Sequence, residues 1–156
     1  MLYGPMTHPP LLAALARAGH GGKILITDGN YPAVSGAPAS AERVYLNLAP
    51  GLLTVSQILD VLTQTIPLER AGLMVPAADA TGIERPDDIP AHAEYRAALP
   101  GVPFDEIPRW DFYDAARADD VTVVIVSADQ RLYANLLLTV GVRASDGSRP
   151  RRHSTS

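Results

Sequence analysis

Apolar residues along this chain fall into short blocks set apart by glycine- and proline-rich stretches. Pro9-Pro10 leads into Leu11-Leu12-Ala13-Ala14-Leu15-Ala16, which reads as a helix because proline is tolerated in a first turn. Gly19 stops it. Lys23-Ile24-Leu25-Ile26-Thr27 is apolar and β-branched, the signature of a buried strand. Asp28–Ala41 is rich in Gly, Pro, Ser and Ala and reads as a loop, long enough to carry function. Arg43–Leu48 is a second strand. Thr54-Val55-Ser56-Gln57 has the form of a capping box, and Val55, Ile58, Leu59 and Leu62 behind it follow the 3.6-residue period of a helix that Pro67 ends.

Further on, Gly72–Ala78 reads as a buried strand whose Pro76 points to an edge or a bulge. His92–Leu99 and Asp111–Ala118 read as helices, Phe104–Ile107 as a strand. Val121–Val126 is the clearest strand, apolar on both faces as in a parallel sheet covered by helices. Asn135–Val140 reads as a last helix ending at Gly141. Helices alternating with apolar strands predict an α/β fold: one domain, a layered and mostly parallel sheet, helices on both faces.

Composition narrows the chemistry. The 156 residues suit a single domain, and 47% hydrophobic against 19% charged residues supports a real core. No cysteine is present, so disulfides, thiolate nucleophiles and zinc-thiolate sites are excluded together. There is one lysine, Lys23. No apolar run is long enough for a bilayer, and Met1-Leu2-Tyr3-Gly4-Pro5 lacks a signal-peptide pattern, so a cytoplasmic protein is expected. The net charge of -4 is uneven: residues 143–156 hold four arginines and one aspartate, leaving 9 basic and 16 acidic side chains on the body. An acidic body argues against a nucleic-acid groove. The basic tail, low in apolar residues, is expected to be disordered and solvated.

Two polar residues bracket the first strand: His20 in Ala18-Gly19-His20-Gly21-Gly22, and Asp28 ahead of Gly29-Asn30-Tyr31-Pro32. The strand is expected to bring the acid to an edge that the loop imidazole also reaches, and such a pair can move protons near neutral pH. Both have plain structural readings as well, a helix-terminus histidine and a turn-capping acid. The carboxyl ends of strands are, however, where α/β sheets bind ligands. Arg109-Trp110 before Asp111-Phe112-Tyr113 joins a charged fork to an aromatic face, a surface stack or a sugar-holding pair. Tyr133-Ala134-Asn135 follows the clearest strand at another carboxyl end. Gly19-His20-Gly21-Gly22 follows a helix and lacks Gly-Lys-Ser/Thr, so it is not a phosphate loop. His8, His92 and His153 show no metal-ligand spacing with His20, and no metal is expected.

Taken together, these segments resemble the bacterial D-ribose pyranase and L-fucose mutarotase family. The match runs through the early helix, Ala18–Gly22, Thr27–Ala33, Ile66-Pro67-Leu68, Met74–Ala78, Arg109–Tyr113, Tyr133–Leu138 and Gly141-Val142. It covers residues 1–142 as one mutarotase-like domain and leaves 143–156 as the tail. The resemblance implies that His20 is the proton donor, that Asp28 binds the sugar near its anomeric centre, and that Tyr133 and Asn135 contact it. Arg109 stands where fucose-type members have arginine and ribose-type members histidine, so the chain looks closer to the fucose branch. Asn30 stands where that branch has histidine. The resemblance also implies a ring-shaped homo-oligomer, pentamer or decamer, with pockets completed by a neighbouring subunit.

The activity so implied is a cofactor-independent interconversion of anomers, or of pyranose and furanose forms, of a free monosaccharide such as L-fucose. Ring opening needs a proton donor and acceptor but no redox group, metal or nucleophile. Arg109 and Asn135 would hold hydroxyls, with Trp110 or Tyr113 covering the ring face. The alternatives are a non-catalytic sugar-binding or transport accessory protein and, from another class, a metal-assisted hydrolase built on His20, Asp28 and His92.

Overall fold

The computed structural model describes residues 1–148, so the expected disorder of the tail beyond that point lies outside the described residues. Six strands form one sheet: β1 (Lys23–Thr27), β2 (Glu42–Tyr45), β3 (Leu68–Val75), β4 (Phe104–Pro108), β5 (Val121–Val126) and β6 (Leu136–Val140). Their order across the sheet is β2-β5-β1-β6-β3-β4. β1 and β2 each pair with β5 in parallel, as β3 does with β4, whereas β6 runs antiparallel to both β1 and β3. Five strands therefore share one direction, and β6 alone is reversed.

Four helices cover the sheet: α1 (Pro9–Arg17), α2 (Val55–Leu62), α3 (Pro90–Ala98) and α4 (Arg109–Ala116). Leu11, Leu15, Ile58, Leu59, Leu62 and Tyr95 from the first three pack on one face against Ile24, Ile26, Leu73, Ile125, Leu136 and Leu138. On the other face Phe112 and Ala116 of α4, with Tyr31, Ala33 and Ala37 of the long loop, cover Leu25, Met74, Val124 and Leu137. Strict alternation along β1 and β6 sends successive apolar residues to opposite cores, as a sheet covered on both sides requires.

Local signals explain most of these elements. Thr54 Oγ1 accepts from the Gln57 backbone N–H at 3.3 Å while Gln57 Oε1 accepts from the Thr54 N–H at 2.9 Å, so the capping box that starts α2 is complete. His8 caps α1, its Nδ1 accepting from Leu11 N–H at 3.3 Å. The loop after β1 folds onto the sheet because Gly36 has no side chain: a Cβ there would sit 2.7 Å from the Tyr31 ring. Tyr31 instead packs flat over it and donates its hydroxyl to the Gly36 carbonyl at 2.7 Å.

Two elements differ from the sequence-based expectation. Asn135–Val140 is not a helix: Leu136–Val140 is strand β6. Leucine favours helices in isolation, but here Leu136, Leu137 and Leu138 face alternate cores between two strands, and the tertiary environment overrides propensity. The strand expected at Gly72–Ala78 starts earlier, at Leu68, and lies inside the sheet between β6 and β4; Pro76 stands just past its end. No helix among the described residues is long and apolar enough to cross a membrane.

Candidate functional site

The shared direction of five strands gathers their carboxyl ends on one edge of the sheet. Asp28 follows β1, Met74 is next to last in β3, Arg109 opens α4 directly after β4, and Asp129 follows β5. Because β6 is reversed, its amino end lies on this same edge, and that brings Tyr133 and Asn135 beside Asp28 although 107 residues separate Asp28 from Asn135. Between these segments lies a cavity of about 280 Å³ lined by Asp28, Asn30, Tyr31, Met74, Ile83, Glu84, Arg109, Tyr113, Leu132, Tyr133 and Asn135. Its volume lies just under the usual range for drug-sized ligands, which suits a smaller molecule.

Asp28 and Asn135 form a reciprocal pair at its floor. Asn135 Nδ2 donates to Asp28 Oδ2 at 2.8 Å, and the Asp28 backbone N–H donates to Asn135 Oδ1, also at 2.8 Å. The second carboxylate oxygen accepts from the Asn30 N–H at 2.9 Å, the Asx turn that its position before Gly29 encodes. Burial raises the Asp28 pKa above the usual carboxylate value, only partly offset by these N–H donors. The acid is thus oriented from behind, and a ligand entering the cavity meets a fixed acceptor.

One wall is made of Glu84, Arg109, Tyr113 and Tyr133. Arg109 Nη1 donates to Glu84 Oε1 at 3.0 Å, and the Tyr133 hydroxyl donates to the Glu84 carbonyl. Burial works against the Arg109 charge, but Glu84 and Tyr113 outweigh it and hold the guanidinium firmly protonated. Tyr113 stacks on Tyr31 with ring centroids 5.3 Å apart, giving the cavity an aromatic side. Trp110 does not take that place: its ring lies under the Arg109 guanidinium, 4.9 Å from centroid to carbon, but is 60% exposed and outside the lining. Trp110 is three residues from Tyr113 on α4 and its ring centroid lies 6.0 Å away, but Arg109 and Tyr113, four apart, are the α4 residues that line the cavity.

His20 is not beside Asp28 within one chain. It precedes β1 while Asp28 follows it, and the strand alone spans roughly 13 Å. The imidazole lies on the opposite edge, where its Nε2 pairs with Glu69 Oε2 at 3.2 Å. Both side chains are about half exposed, 58% and 45%, so the pair faces outward. The expectation of a shared edge failed because residues on either side of a strand that crosses the sheet leave from opposite ends. Asp28, Arg109, Tyr113, Tyr133 and Asn135 are brought together; His20 and Trp110 are not.

Sequence reasoning missed Tyr31, Met74 and Glu84 as lining residues. Met74 had a usable signal, its place at a strand's carboxyl end; Glu84 sits in a loop with no periodicity. It also missed the brace behind the site. Buried Asp129 accepts from the Val55 N–H at the start of α2 at 3.1 Å and from Arg131 Nη2 at 2.8 Å, while Arg131 Nη1 reaches Glu94 of α3 at 2.8 Å. Burial pushes the Asp129 pKa up, but Arg131 and the backbone donors more than reverse it, leaving it below the usual value. Among the described residues no three His, Asp or Glu side chains converge as a metal set.

A small α/β protein whose one reversed strand turns the carboxyl edge of a parallel sheet into a polar cavity is the class this architecture defines. The chain belongs to the RbsD / FucU transport protein family, whose model matches residues 1–143. It is 32% identical over 147 residues to the fucose mutarotase of Homo sapiens, covering 87% of this chain and 89% of that protein. The fold matches the fucose mutarotase of Streptococcus pneumoniae in complex with L-fucose, with a TM-score of 0.74, 22% identity, and coverage of 92% of this chain and 100% of that one. It matches Bacillus subtilis RbsD complexed with D-ribose equally, with a TM-score of 0.74 at 22% identity over 91% of this chain and 98% of that one.

Proposed function

We propose that this protein is a sugar mutarotase acting on a free monosaccharide in the cytoplasm, with L-fucose as the first candidate and D-ribose as the second. The observation that carries the reading is the cavity itself. Three distant segments place a carboxylate, an amide, a guanidinium and three phenols around a space sized for a small ligand. Within a family that includes a fucose mutarotase at 32% identity, such a set matches a ligand made of hydroxyls around a sugar ring. Arg109 and Asn135 hold hydroxyls, Tyr113 covers a ring face, and Asp28 lies at the anomeric carbon.

The reaction breaks the bond between the anomeric carbon and the ring oxygen. One group protonates the ring oxygen while another accepts the proton of the anomeric hydroxyl. The aldehyde then rotates, and closure returns both protons with the anomer inverted. Uncatalysed opening already occurs in water, so about 10²- to 10⁴-fold per positioned acid or base suffices. Asp28 supplies one group. His20 supplies the other, delivered from a neighbouring copy in a ring-shaped homo-oligomer, because the outward-facing His20–Glu69 pair lies on the far edge of its own chain. A subunit without such a neighbour would bind sugar in the same cavity and leave the exchange rate at background, which is the binding-protein alternative.

Magnetisation-transfer NMR on L-fucose and D-ribose tests this directly. Anomer exchange accelerated by the protein and lost in His20→Ala is the expected result, and the faster sugar names the substrate. Sugar binding without acceleration, at any protein concentration, would leave a binding protein.

A further inference from the structure

Tyr133 is the one non-glycine residue among the described residues with a positive φ, 58°. An L side chain pays for that conformation, and it persists only where surrounding contacts over-determine it. Those contacts come from α3. His92 Nε2 lies 3.0 Å from the Tyr133 carbonyl oxygen, and the buried Tyr95 hydroxyl donates to the next carbonyl, Ala134, at 2.7 Å. His92 and Tyr95 are three apart on one helical face, so a single helix supplies donors to two consecutive carbonyls. A carbonyl only accepts, so the proton between His92 and Tyr133 is on Nε2. Burial lowers the His92 pKa, outweighing the backbone carbonyls of Tyr133 and Met74 that face the ring. His92 does not line the cavity.

From this we infer that His92 is a positioning residue: its Nε2–H holds the left-handed Tyr133 turn and thereby aims the Tyr133 phenol and the Asn135 amide into the cavity. Tyr133 is buried, so without the imidazole its carbonyl has no donor and the turn relaxes toward negative φ. Asn135 sits two residues on and couples directly to Asp28, so the relaxation reaches the floor of the site. The inference rests on the reading that Tyr133 and Asn135 hold the sugar.

Three substitutions separate positioning from mere packing. Glutamine places its amide nitrogen where Nε2 stands; asparagine is polar but too short to reach; leucine fills the space without a donor. His92→Gln is expected to stay near the wild-type kcat/KM for sugar exchange. His92→Leu and His92→Asn are expected to lose about tenfold, mainly through a higher KM, as one buried hydrogen bond would. In ¹H–¹⁵N spectra, the Asn135 side-chain amide and the Asp28 backbone amide should shift in the leucine and asparagine variants and return in the glutamine variant. Arg96→Gln, on the same helix but paired with Glu106 and stacked on Phe104, should shift neither resonance. Equal behaviour of glutamine and asparagine, or an unshifted Asn135 amide in His92→Leu, would overturn the inference. Should wild-type protein accelerate no sugar's exchange, the mutarotase reading falls, while the spectra still decide the role of His92.

Discussion

Asp28 has both carboxylate oxygens engaged from behind and little contact with solvent, so its properties as an acid are set before any ligand arrives. Its raised pKa has a sign that can be read in activity. As pH falls through that raised value the carboxylate takes a proton and ceases to accept one, so the acid limb of the exchange rate should lie above the ordinary aspartate value of about 3.9. Asp28→Asn should abolish that limb along with most of the rate; a pH–rate profile of both proteins checks it. His20 presents the opposite case. It is more than half exposed and pairs with the half-exposed Glu69, so His20→Ala should leave the unfolding midpoint within about a degree or two, in keeping with surface substitutions of under about 0.5 kcal/mol. Thermal unfolding measured beside the exchange assay separates the two effects.

Among the elements, the segment from Ser127 to Asn135 is the one whose shape the rest of the fold must enforce. It contains no regular structure, yet it carries three lining residues, one of them a left-handed tyrosine. Asp129 and Arg131 tie it to α2 and α3, and α3 ties its far end. Removing Arg131 would strand a buried carboxylate. Arg131→Met should therefore cost roughly 2 kcal/mol, the scale of hydrogen bonds to charged groups, and should lower sugar affinity as well. Denaturant melts and ligand titrations would show both losses. Asp129 adds a pH signature: a carboxylate held below its unfolded value stabilises the fold above that unfolded value, and the benefit fades as pH falls toward the folded one. Wild-type stability should thus decline below about pH 4, and Asp129→Asn should flatten that decline.

At the level of the whole molecule, the two halves of the proposed acid–base pair lie on opposite edges of one sheet. A working site then needs two chains, and the test is complementation. His20→Ala and Asp28→Asn should each be inactive alone. Mixed, unfolded and refolded together, they should regain activity, because about one quarter of the interfaces in a mixed ring pair an intact His20 with an intact Asp28. Recovery to no more than the sum of the separate variants would mean that each chain acts alone.

Much of this was legible in the chain. The capping box at Thr54, the β-branched runs at Lys23–Thr27 and Val121–Val126, and the Asp28-Gly29-Asn30 turn are local events, decided by neighbours within a few residues, and local chemistry is what a linear reading contains. Asp28, Arg109, Tyr133 and Asn135 were legible as candidates because polar residues at strand ends stand out against apolar runs. The direction of β6 was not legible. Three leucines serve a helix or a two-sided strand equally well, and the choice was made by the slot between β1 and β3. That one reversal carries Tyr133 and Asn135 to Asp28. The same geometry parts His20 from Asp28, eight residues away in the chain, since a strand between two residues drives them to opposite edges.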